Sequence, residues 1–123
     1  MNLVDSSGWL EYLADGPNAG FFAPALEDTE HLVVSTINLY EVFKRVLRQR
    51  GADSALRAAA LMQQAVVAEV TSSVAMEAAR LSVELKLPMA DSVILATARA
   101  YDAVLWTQDA DFKGLPDVRY TGK

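Results

Sequence analysis

The amino-acid sequence predicts an α/β fold in three layers, a central, mostly parallel five-stranded sheet flanked by helices. Three observations predict it. Short apolar runs near Leu3, Leu32, Val66, Val104 and Val118 are separated by longer stretches of helical periodicity, the alternation that builds parallel sheets from strand–helix crossovers. Acidic residues stand where those runs end or where helices begin. No repeat, linker or low-complexity tract interrupts the 123 residues, so one domain over residues 1–123 is expected. A chain of this length buries about two-thirds of its unfolded surface.

Leu3-Val4 opens as a strand, and Ser6 or Ser7 can cap a helix carrying Trp9, Leu10 and Leu13 on one face, closed by the turn Asp15-Gly16-Pro17. A short helix is expected over Ala19 to Leu26, then a strand over His31 to Val34. Ser35-Thr36 caps a helix with Ile37, Tyr40, Val42, Phe43, Val46 and Leu47 along it, which stops at Gly51. Ala52 to Gln64 is alanine-rich and helical and pairs with its predecessor. Val66 to Val70 reads as a strand; Thr71 caps a helix to Leu85 with Ala75, Ala78, Ala79 and Leu81 inward, and Pro88 breaks it before a helix from Ala90 to Tyr101. Ala103 to Trp106 and Val118 to Tyr120 complete the sheet.

A net charge of −5 repels nucleic acid unless metals or local basic patches reverse it, which speaks against a simple DNA-binding module. The absence of cysteine excludes disulfides, thiolate zinc sites and cysteine nucleophiles, and a single histidine makes zinc a poor fit. His31 has no serine or acid spaced for a triad and reads as a surface or edge residue. The amino terminus lacks a signal-peptide pattern, and no apolar run approaches the roughly 20 residues of a membrane span, so a cytoplasmic protein is expected.

Four acids carry the functional reading. Asp5 ends the first strand and Asp109 follows the fourth, and residues just past the carboxyl ends of parallel strands face one crevice. Glu41 and Asp91 fall in the early turns of helices that open onto it. Carboxylates packed closely repel, and a hard cation held by oxygen ligands, Mg²⁺ with Mn²⁺ as substitute, removes that repulsion. The implied chemistry is phosphodiester hydrolysis. Asparagine at Asp5 or Asp91 should then remove activity while leaving the fold intact or steadier. Any one of 16 acidic residues is more commonly a solvated charge or a cap, so the pattern carries the weight.

The segments Leu3-Val4-Asp5-Ser6-Ser7, Ile37-Asn38-Leu39-Tyr40-Glu41-Val42, Leu87-Pro88-Met89-Ala90-Asp91-Ser92-Val93-Ile94-Leu95-Ala96-Thr97-Ala98 and Leu105-Trp106-Thr107-Gln108-Asp109-Ala110-Asp111-Phe112 resemble the four motifs of PIN-domain ribonucleases. Within that superfamily the likeness is to VapC toxins of toxin–antitoxin pairs, and it runs from Leu3 to Tyr120. No single motif is specific; four in order and in context are. The resemblance implies a PIN-like fold and a metal-dependent endoribonuclease, usually dimeric, that cuts RNA and is silenced by a cognate antitoxin. It also implies Mg²⁺ or Mn²⁺ held by Asp5, Glu41, Asp91 and Asp109. Asp111 matches a more variable fifth acid, a metal ligand in one reading and a cap of the turn into Phe112 in another.

Beside these acids, Ser7, Asn38 and Thr107 are expected to orient ligands, Asn38 because it lies one turn before Glu41 and Thr107 because it matches the Thr or Ser of the last motif. For Ser7 a helix cap is the rival role. Arg45 and Arg48 lie one and two turns beyond Glu41 and are candidates to meet RNA phosphates, against the alternative of a solvated helix end whose cations complement the dipole. Phe21-Phe22 is too apolar a pair for a short connecting helix and marks a surface for the antitoxin's apolar segment.

A phosphorelay receiver domain would share length and fold class. It needs a phospho-accepting Asp after the third strand and a Lys after the fifth; here Thr71-Ser72-Ser73 follows the third, and no lysine follows the last strand until the chain end. Two alternatives within the family are a PIN nuclease of RNA processing and a catalytically idle PIN-like binding module. The complete set of acids argues against the idle module.

Overall fold

Apolar alternation and helix caps divide the chain as the sequence suggests. The computed structural model describes all residues, Met1–Lys123. Its elements are β1 (Asn2–Val4), α1 (Ser6–Leu13), α2 (Ala19–Leu26), β2 (Leu32–Ser35), α3 (Thr36–Arg50), α4 (Ala52–Met62), β3 (Val66–Ala68), α5 (Ser72–Leu85), α6 (Met89–Ala100), β4 (Val104–Thr107) and β5 (Val118–Tyr120), with short 3₁₀ turns at Thr29–His31 and Ala110–Phe112.

The strands form one sheet in the order β3-β2-β1-β4-β5. Every neighbouring pair is parallel, where the sequence predicts a mostly parallel sheet. Chain connections run outward from β1 on one side to β2 and β3, then cross back to β4 and β5 on the other. The order therefore reverses between β1 and β4, which places a crevice past their carboxyl ends, where open parallel sheets bind ligands.

Strand alternation sorts the core onto the two faces. Leu3, Val33, Ala68 and Leu105 meet α5 and α6 through Ala78, Leu81, Ile94 and Leu95. Val4, Leu32 and Val34 point the other way, into Trp9, Phe22, Val42, Val46, Ala55 and Met62 of α1 to α4. The sheet lies between two helical layers, each with its own apolar cluster, which is the three-layer fold expected.

Four local expectations change. Asp5, not Ser6 or Ser7, caps α1: its backbone is extended and its carboxylate accepts the Gly8 N–H at 3.0 Å, so both serines fall inside the first turn. β3 ends at Ala68 rather than Val70. On α5 only Ala78 and Leu81 of the expected four are buried, while Ala75 and Ala79 face out. On α3, Val42 and Val46 are buried and Ile37 and Phe43 pack partly buried against the core, but Tyr40 is 59% exposed and Leu47 also faces out.

Candidate metal centre

Asp5 is held by its position at the end of β1 and by three donors. Its N–H bonds to the Trp106 carbonyl of neighbouring β4 at 3.1 Å, so the residue is pinned at the point where the strand order reverses. One carboxylate oxygen, Oδ1, accepts from Ser7 Oγ at 2.7 Å as well as from Gly8 N–H. The other, Oδ2, accepts from Thr107 Oγ1 at 2.7 Å. The group is 3% exposed. Burial pushes its pKa up, and the hydrogen bonds from Thr107, Ser7 and Gly8 oppose that rise.

Thr107, fully buried at the end of β4, faces two acids at once. While donating to Asp5 it accepts the Asp109 N–H at 2.8 Å, which fixes where the chain turns out of the strand. Asp109 then caps the 3₁₀ turn by accepting the Asp111 N–H at 2.9 Å. The cap of the turn into Phe112 is thus Asp109, and Asp111 is left with its carboxylate free to face Asp91.

Asp91 enters from the first turn of α6. Carboxylate oxygens of Asp91, Asp109 and Asp111 all lie within 4.8 Å of one another. The Asp91 carboxyl is pushed up to about 7, first by burial and then by the charge of Asp109, a hydrogen bond with Asp111 and the further charges of Asp111 and Asp5. Such crowding fits a hard divalent cation: the donors are all oxygens, and the cation would remove the repulsion that makes Asp91 hold its proton.

Glu41 stands outside that trio, behind a short relay. Ser6 Oγ donates to Glu41 Oε1 at 2.7 Å and accepts from Asn38 Nδ2 at 3.1 Å. Asn38 is fully buried, and its Oδ1 accepts the Ser35 N–H at 3.1 Å while Ser35 Oγ accepts from Ile37 N–H, a capping box that starts α3. Asn38 reaches Glu41 through Ser6, a residue that sequence reasoning treats only as a cap. Gln108 was also missed: it is 8% exposed, accepts from Asn18 Nδ2 at 3.0 Å and reaches the Ser7 carbonyl with Nε2 at 3.5 Å. A glutamine between two motif residues carries no signal in sequence beyond its place.

The remaining expectations separate. Arg45 lines a groove between α1, α3 and α4; Arg48 is exposed and lies outside it. His31 is exposed and pairs with Asp28, as a surface residue does. Phe22 is fully buried, and Phe21 packs edge-on against Phe22 and Trp106, their ring centroids 5.0 and 5.3 Å away. The phenylalanine pair therefore belongs to the core and is not the exposed docking surface expected. Open apolar surface lies instead along α3 and α4, where Leu39, Tyr40, Phe43, Leu47 and Ala59 border a second groove of about 450 Å³.

A crevice of crowded carboxylates at the switch point of a parallel sheet is a place where a hard divalent cation can be held. The PIN-domain family model matches residues 3–118, and the chain belongs to that family. No curated protein matches it by sequence. Among solved structures, a toxin–antitoxin complex from Klebsiella pneumoniae is similar with a TM-score of 0.83 at 22% identity, covering 97% of this chain and 96% of that one. VapC20 of Mycobacterium tuberculosis, described as a sarcin-ricin loop cleaving toxin, gives 0.78 at 23% identity over 97% and 99% of the two chains. VapBC2 from Rickettsia felis, bound to a promoter DNA fragment, gives 0.74 at 15% over 98% and 97%. No helix is long and apolar enough to cross a membrane.

Proposed function

We propose that the chain is a metal-dependent endoribonuclease, the toxin of a toxin–antitoxin pair, acting in the cytoplasm as a homodimer and silenced by a cognate antitoxin. The observation that carries this is the convergence of Asp91, Asp109 and Asp111 within 4.8 Å, beside the buried Asp5. Family membership supports a nuclease, and the similar structures that are toxins or toxin–antitoxin complexes support the toxin reading over RNA processing.

Asp91, Asp109 and Asp111 would hold the cation, Mg²⁺ or Mn²⁺, with Asp5 next to them and Glu41 approaching from α3. When bound, the ion supplies charge stabilisation at the scissile phosphate and makes water a better nucleophile. The chain's own part is positioning. Thr107 fixes Asp5 and the Asp109 backbone relative to each other, and Ser7 and Gly8 hold the second oxygen of Asp5. Asn38 and Ser6 hold the Glu41 carboxylate in one orientation, so that it can accept a proton from an attacking water without first reorganising. Arg45, which lines the groove, would meet a substrate phosphate there; Arg48, exposed and outside the groove, would touch the RNA farther from the centre.

Cleavage of single-stranded RNA should require Mg²⁺ or Mn²⁺ and stop on chelation. Expression should arrest growth, and co-expression of the protein encoded beside it should restore growth through an Arg or Lys that reaches the carboxylates. Undiminished cleavage in excess chelator would overturn the mechanism. Harmless expression of folded, metal-loaded, active enzyme would move the reading to RNA processing.

A further inference from the structure

We infer that the groove between α1, α3 and α4 is the path along which a single RNA strand reaches the acid cluster, an assignment that rests on the nuclease reading. The groove encloses about 630 Å³, and Arg45, Arg50, Arg57 and Lys123 line it. Glu11 is the one carboxylate side chain among the lining residues, and its Oε2 already accepts the Asn18 N–H at 2.7 Å. Four cations in one cleft are a strong local reversal in a chain of net charge −5 with 11 Lys and Arg in all. None of the four takes part in an ion pair; those of the molecule are His31 with Asp28 and Arg80 with Glu77 and Glu84. Exposed guanidinium groups without carboxylate partners are available to an external anion, and phosphate suits their forked donors.

The groove reaches the edge of the metal centre through Ser7 and Gln108, while the acids themselves lie beyond its lining. Ser7, at its head, donates to Asp5 Oδ1, and Gln108 beside it is the residue between Thr107 and Asp109. A phosphodiester strand that follows the arginines is thus brought to Ser7, one hydrogen bond from the buried Asp5. The basic rim also offsets the repulsion that a cluster of carboxylates exerts on any approaching phosphate.

The floor selects a single strand. Leu10, Val46 and Ala58 form an apolar base beneath the arginines, with Gln49 and Ser54 as hydrogen-bonding groups along the side. Bases reach a concave apolar floor only after leaving a stack, whereas an A-form duplex offers phosphates and 2′-hydroxyls on a convex surface. Guanidinium planes and apolar side chains both accept an unstacked base, which also makes the binding tolerant of sequence.

The test uses full-length Asp91→Asn protein, so that RNA survives, titrated with a labelled single-stranded oligoribonucleotide and with its duplex over a salt series. Single-stranded RNA should bind more tightly than duplex. Adding Arg50→Ala and Arg57→Ala should weaken binding about tenfold at low salt and flatten the log–log salt slope by about 1.4, at ~0.7 for each phosphate contact on a single strand. The lysine versions of the same two positions should keep most of the slope, and Arg99→Ala, on α6 in the opposite layer, should change nothing. Wild-type cleavage with Mn²⁺ is measured in parallel. Unchanged affinity and slope in the double variant, with wild-type cleavage intact, would overturn the groove and leave the nuclease reading standing. The expected slope change with no wild-type cleavage of any RNA would keep the groove and sink the nuclease. Equal binding of duplex, or tighter binding of an oligoglutamate peptide than of RNA, would mark the groove as something other than a single-strand path.

Discussion

Thr107 Oγ1 donates to Asp5 Oδ2 at 2.7 Å across the sheet from β4 to the end of β1, and the same oxygen accepts the Asp109 N–H at 2.8 Å. One buried hydroxyl thus sets the distance between two acids that are far apart in sequence. Thr107→Val, close in shape but without the hydroxyl, should lower Mn²⁺ affinity and RNA cleavage by roughly 10–100-fold, the usual cost of removing a group that orients a metal ligand. Thr107→Ser should retain most of both. Calorimetric titration of Mn²⁺ together with cleavage rates checks this; wild-type metal affinity in the valine variant would show that Thr107 only packs.

The acids should make the metal-free protein more stable in acid than at neutral pH. Asp91, pushed up to about 7 from an ordinary 3.8, binds its proton more tightly folded than unfolded. Its favourable contribution is therefore complete below the unfolded value and is lost as pH rises through about 7, and the raised Asp5 acts in the same direction. The melting temperature in chelator should fall between about pH 4 and about pH 7, and added Mn²⁺ should raise it most at the alkaline end, where the carboxylates are free to bind. Asp91→Asn should remove most of that fall and stabilise the metal-free protein near pH 8 by roughly 1–2 kcal/mol, allowing for the solvent screening of a half-exposed group. Asp5→Asn should not share the gain, because an amide in that place sets an N–H against the Thr107 hydroxyl. A flat melting profile in chelator would contradict this account.

Gly8 is constrained by space. A Cβ there would meet Val4 Cγ1 at 2.5 Å and the Phe22 ring at 2.7 Å, both in the core beneath α1. Gly8→Ala should cost about 1–3 kcal/mol by overpacking. The loss should appear as a lower melting temperature with the chelator and Mn²⁺ responses otherwise preserved. An unchanged melting temperature would mean that α1 shifts freely on the sheet.

Much of this was legible in the sequence because parallel sheets constrain both pattern and place. Leu3-Val4 before Asp5 and Leu105-Trp106-Thr107 before Asp109 read as strands ending in acids, and strand ends in such a sheet share a crevice. What escaped was decided by single-residue shifts. Reading Ser6 or Ser7 as the cap of α1 moved the helix start past Asp5 and concealed that Ser6 turns toward Glu41. Tyr40 and Phe22 show the same difficulty in apolar residues: one sits exposed on α3, the other is sealed beneath α1, and hydrophobicity alone does not separate them. Arg57 goes unmarked in the sequence although α4 is expected to pair with α3, because pairing alone does not fix which faces of the two helices share a groove with α1.

The relay from Asn38 through Ser6 to Glu41 predicts two different kinds of failure. Ser6→Ala removes the donor that holds Glu41 Oε1 and the acceptor of Asn38 Nδ2 but leaves the α3 capping box in place, so it should lower kcat with KM little changed and cost about 1 kcal/mol of stability, less than Asn38→Ala. Asn38→Ala removes the acceptor for the Ser35 N–H as well as the donor to Ser6, at a fully buried position. The N-cap bond from Ile37 N–H to Ser35 Oγ survives, but the orphaned Ser35 N–H costs roughly 1–3 kcal/mol, so this variant should be destabilised and slow together. Asn38→Asp keeps the cap acceptor but offers Ser6 no N–H and sets a negative charge near Glu41, so it should fold better than the alanine variant and still turn over slowly. Steady-state kinetics on single-stranded RNA beside thermal melts separate the three. Should Ser6→Ala turn over at the wild-type rate, the orientation of Glu41 would not matter to the reaction and the relay would be a structural bond alone.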